Sequence, residues 1–90
     1  MKAELQPVNQ KSFYGKAQVE FLPDKIVLWS YDTPIMERRL DDDSLARYGW
    51  MFENYKGEWV DWGATTGRHI KAFCGLNKKE YMKLPVVEHN

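Results

Sequence analysis

A single cysteine, Cys74, among ninety residues excludes an internal disulfide and suits a reducing compartment. Net charge is also lacking: thirteen Lys and Arg balance thirteen Asp and Glu. A protein built for non-specific nucleic-acid binding normally carries a basic excess, because phosphate neutralisation supplies that affinity. Long apolar runs are missing too. Ile26 to Trp29 is far too short to span a bilayer, and Met1-Lys2-Ala3-Glu4-Leu5 has none of the hydrophobicity of a signal peptide. The expectation is a cytoplasmic protein with no membrane association. Phosphate loops, dinucleotide fingerprints, His-Glu-x-x-His and paired cysteines do not occur, so nothing in the sequence points to catalysis or to a cofactor.

Aromatic residues are plentiful instead. Four Trp, five Tyr and four Phe let a short chain bury a large area with few side chains. The length fits one domain over residues 1–90. Charge is unevenly placed: residues 37–63 carry seven acids against four bases, whereas 64–90 carry five bases against two acids.

Residues 1–11 read as a polar lead-in. From Phe13 to Phe21 apolar and polar residues alternate, the period of a half-buried strand. Pro23-Asp24 supplies a turn into a second strand, Lys25 to Thr33, which forms a hairpin with the first. The opening of this strand, Ile26-Val27-Leu28-Trp29, is apolar on both faces, as a central strand would be. Pro34 bends, bulges or ends the strand, because it cannot donate a ladder hydrogen bond. Asp41-Asp42-Asp43-Ser44 has helix-start chemistry and predicts about one helical turn over Leu45 to Tyr48. Trp50 to Trp62 reads as a second hairpin with Gly57 at its turn. Thr65 and Thr66 are candidate caps for a helix running to Cys74, stopped by Gly75, with Ile70, Phe73 and Cys74 on its buried stripe. Asn77 and Glu80 form a capping-box pair opening another short helix. The tail from Val86 is either an added edge strand or frayed. The predicted fold is therefore α+β: an antiparallel sheet of four to five strands in two hairpins, with the C-terminal helices packed on one face.

Few residues are candidates for chemistry. Cys74 and His69, five apart on a helix, point about 140° away from each other and cannot act as nucleophile and base together. Cys74 reads as buried core. His69 reads either as a general base or ligand group or, the preferred reading, as a packed histidine bonded to backbone or a Thr hydroxyl. His69, His89 and Cys74 lack metal-ligand spacing, and three consecutive acids at Asp41 to Asp43 do not converge on a cation, so no metal is expected. Arg68, Lys71, Lys78, Lys79 and Lys83 on two helices joined by Gly75-Leu76-Asn77 give a nucleic-acid reading that the neutral charge disfavours. Tyr31, Asp32, Thr66, Arg68 and His69 are candidates for one small-molecule or nucleotide pocket. Tyr55, Trp59 and Trp62 are the candidates for a protein-binding or self-association surface, because Trp59 and Trp62 cannot both enter one face of a regular strand.

Three segments, Tyr14-Gly15-Lys16-Ala17, Ser30-Tyr31-Asp32-Thr33 and Thr65-Thr66-Gly67-Arg68-His69-Ile70, resemble a loose family of small uncharacterised proteins from bacteriophages and other bacterial mobile elements. There a strand ending in Ser-Tyr-x-Thr is followed by Thr-Thr and a helix containing His-Ile. The resemblance implies a shared fold and a bacterial or phage cytoplasmic protein, and implies no activity. It also leads us to expect that Ser30 to Thr33 ends near the start of the Thr65/Thr66 helix. The functional expectation is a small non-enzymatic accessory protein, phage- or prophage-borne, that binds a host protein.

Overall fold

In a computed structural model of the chain, residues 2–4, 16–53, 56–60 and 62–89 are described. The main sheet has six strands in the order β1-β2-β3-β4-β5-β8: β1 (Lys2–Glu4), β2 (Ala17–Phe21), β3 (Lys25–Ser30), β4 (Thr33–Arg39), β5 (Leu45–Tyr48) and β8 (Val86–Val87). Strands β1 to β5 are antiparallel neighbours, and β8 adds in parallel to β5. A separate antiparallel pair joins β6 (Phe52–Glu53) to β7 (Trp59–Val60). Two helices follow, α1 (Ala64–Cys74) and α2 (Lys78–Met82). The α+β class and the sheet therefore stand.

β3 lies at the centre of the β2-β3-β4 ladder, and Val27 and Leu28, which point to opposite faces, are both fully buried. Its apolar opening has no solvent side to accommodate. On one face Val19, Leu28 and Met36 are cross-strand partners, and they form a single core cluster with Ile35, Trp50, Ile70 of α1 and Tyr81 of α2. Arg38 lays its guanidinium over the Phe73 ring at 5.6 Å, and Arg47 covers Tyr81 at 5.9 Å. On the other face Val27, Glu37 and Ala46 are partners and are buried. The Glu37 carboxylate accepts from the Tyr48 hydroxyl at 3.0 Å and pairs with Lys25 at 3.4 Å, so its burial is compensated. His89 sets its ring against both Trp29 and Tyr48.

Several expectations need correction. Leu45 to Tyr48 is a strand, not a helical turn. The acidic run before it makes the β4–β5 turn: the Asp42 carboxylate accepts from the Ser44 amide, the Arg39 amide donates to the Ser44 carbonyl, and Asp43 takes φ 58°. Short acidic side chains bind free amides equally well in a turn and at a helix start, and here alternation over Ala46 and Tyr48, both buried, decides the outcome. Residues 2–4 are an edge strand within the expected lead-in. The second strand ends at Ser30, not Thr33, because a tight turn at Tyr31-Asp32 reverses the chain into β4. Pro34 then sits beside a register shift at Leu28/Trp29, where Ile35 is the extra residue of a bulge. The tail resolves as the edge strand. Phe13 to Gly15 lie outside the described residues.

Candidate functional site

The two-residue turn at Tyr31-Asp32 leaves β3 ending at Ser30 directly against the first turns of α1. The Ser30 hydroxyl lies 2.8 Å from His69 Nδ1 and 3.3 Å from the Thr66 hydroxyl, although thirty-nine and thirty-six residues separate them. The Tyr31 ring stands 6.2 Å from the His69 ring. Around these groups opens a cleft of about 350 Å³. Ser30, Tyr31, Thr33, Thr65 and Thr66 supply its polar lining, and Trp50 is among its apolar groups.

The pocket residues anticipated from the sequence separate into two sets. Tyr31 and Thr66 line the cleft. His69 lies behind it, 1% exposed, and meets the cleft-lining residues through its bond to Ser30 and its ring contact with Tyr31. Burial, together with the charges of Arg68 and Lys16, lowers the His69 pKa below 6.5, so the ring is neutral at neutral pH. Asp32 and Arg68 are exposed and do not line the cleft. Arg68 nevertheless follows Ala64 and Thr65 by four and three residues, which places it on their side of α1. Ser30, Thr33, Thr65 and Trp50 were not singled out as pocket residues. For Ser30, Thr33 and Thr65 the signal was their place in the Ser-Tyr-x-Thr and Thr-Thr segments.

Thr65 and Thr66 do not cap α1. Gly63 is the cap residue, extended at φ −129°, and makes no side-chain cap bond. The Thr66 hydroxyl turns to Ser30 instead. Asn77 and Glu80 do form a reciprocal capping box on α2. Cys74 is half-buried rather than fully buried; its thiol donates to the Ile70 carbonyl and touches Met36 Sδ, and burial raises its pKa.

The second set of candidates lies around β6 and β7. Trp59 is 64% exposed. Trp62 is half-buried, its ring tilted against Tyr81 with centroids 5.6 Å apart, and pressed against Gly67. Tyr55 lies outside the described residues. Trp59 pairs with Glu53 across the ladder, and Met51, just before β6, is 58% exposed. Met51 also lines the cleft.

Among the described residues no group of His, Cys, Asp or Glu could hold a metal ion, and no helix is long and apolar enough to cross a membrane. Residues 1–87 match the model of a protein family. The chain belongs to DUF8033, a family of unknown function. No curated protein and no solved structure matches it. The DUF8033 match extends over nearly the whole chain, so the cleft and the β6–β7 pair both fall inside the family's domain.

Proposed function

We propose that this DUF8033 protein is a non-enzymatic binding protein whose partner is another protein, held at the exposed face of β6–β7. Trp59 carries this reading. A tryptophan left 64% exposed on a strand pair that follows an exposed methionine is costly to solubility, and such side chains become anchors once a partner covers them. Both helices cover one face of the sheet in this reading, which leaves the β6–β7 pair projecting as the contact element. The resemblance to small bacteriophage proteins supports a phage or prophage source, and the neutral charge, absent catalytic motifs and abundant aromatics support a host protein as the partner.

Nucleic acid is the weaker partner. Arg68, Lys71, Lys78, Lys79 and Lys83 are all exposed, but α2 has only five residues, short for a helix that reads a groove, and the net charge is zero. The test compares wild type with Trp59→Ser in pull-downs from nuclease-treated bacterial lysate. A protein retained by wild type and lost by the variant is the expected result. The same proteins retained by both would overturn the reading, as would loss of every captured protein on nuclease treatment.

A further inference from the structure

The cleft beside Ser30 combines groups that a purely apolar or a multiply charged ligand would use poorly. Among its described lining residues five carry hydroxyls, none is a carboxylate or an amine, and the others are apolar or aromatic. A hydroxyl both donates and accepts, so this lining suits the edge of a heteroaromatic ring, whose donor and acceptor positions alternate. Flat apolar faces of such a ring match Tyr31 and Trp50. The volume, about 350 Å³, is that of a small-molecule site.

Among the described residues, charge enters only at the rim. Arg68 sits one turn beyond Ala64 and Thr65, both of which line the cleft, and helical side chains lean back toward the N-terminus. Lys16 is placed beside the cleft by its carbonyl, which accepts from the Tyr31 amide at 2.7 Å. Asp32 is the acid in the same turn and does not line the cleft. A cation on α1 one turn past the cleft-lining residues, and a second in the segment bonded to Tyr31, fit one phosphate attached to one base. They do not fit a nucleic-acid strand, which needs a longer basic track.

We propose that the cleft binds a free nucleoside monophosphate, with the base against Tyr31 and Trp50, its polar edge at Thr33 and Thr65, and the phosphate at Arg68 and Lys16. This site does not include Trp59, although Met51, close to the Trp59 strand pair, lines the cleft.

The full-length chain is titrated with AMP, GMP, CMP and UMP, with their nucleosides, and with hexanucleotides of the same bases. Binding is followed by amide chemical shifts and calorimetry. At least one monophosphate is expected to bind at micromolar concentration and to shift Tyr31, Thr33, Trp50, Thr65 and Thr66. Its nucleoside is expected to bind roughly tenfold more weakly. Arg68→Ala should abolish that difference without changing nucleoside affinity, and Tyr31→Ala should weaken both ligands. Trp59→Ser should leave them unchanged, which separates this site from the partner surface. No shift with any monophosphate at millimolar concentration would overturn the proposal, as would shifts outside the cleft or an Arg68→Ala variant that still prefers the monophosphate. A hexanucleotide bound more tightly than its monophosphate would overturn the free nucleotide as the ligand.

Discussion

Ser30 is a short polar residue at the end of an apolar strand, and its hydroxyl is what lets a neutral histidine sit almost fully buried beside it. Replacing it with alanine would leave His69 Nδ1 short of that partner. Ser30→Ala is therefore expected to cost about 1–3 kcal/mol in denaturant unfolding, the range for a buried polar group left unsatisfied. The same histidine makes stability depend on pH. Its folded pKa lies below 6.5, so on acidification the unfolded chain takes up the proton first. Stability from this residue is complete above 6.5 and is lost as pH falls through that value toward the folded pKa. The unfolding midpoint should drop from about pH 8 to about pH 5 more steeply in wild type than in His69→Gln. Parallel profiles for the two proteins would remove His69 as the titrating group.

Among the elements, α1 shows how a residue can contradict its own secondary structure for a tertiary reason. Gly67 costs a helix about 1 kcal/mol relative to alanine. A Cβ at that position would lie 2.5 Å from Cζ2 of the Trp62 indole, so the helix gives up propensity to let the indole approach between Gly67 and Tyr81. Gly67→Ala should destabilise by about 1–3 kcal/mol, the usual cost of overpacking, and should shift Trp62 fluorescence. A more stable variant would show that the indole moves aside freely. The elements also show what was legible in the sequence. The apolar run of β3, the extent of α1 and the Asn77/Glu80 box were readable because each depends on residues adjacent in the chain. β5 was misread because an acidic run serves a turn as well as it serves a helix start. The bonds of Ser30 to Thr66 and His69 join residues far apart in sequence, and no local period encodes them. Only the Ser-Tyr-x-Thr and Thr-Thr-x-x-His-Ile segments marked those positions, without showing that they meet.

At the scale of the whole molecule, the last described residues complete the sheet. β8 covers the edge of β5, and His89 packs edgewise on Trp29 and Tyr48 at 5.3 and 5.2 Å. Removing residues 86–90 is expected to lower stability by about 1–3 kcal/mol, the worth of two aromatic contacts. It should also promote concentration-dependent association through the uncovered edge, measurable by sedimentation. An unchanged midpoint and a monodisperse sample would show that the tail is dispensable.

The strand order places β1 and β8 on opposite margins of one sheet. Five inter-strand steps set them roughly 24 Å apart. A force applied through these two strands would act across the ladders rather than along them, rupturing each margin one hydrogen bond at a time. The fold should therefore yield to stretching at low load, opening like a zip from its margins while the β3 core is still intact.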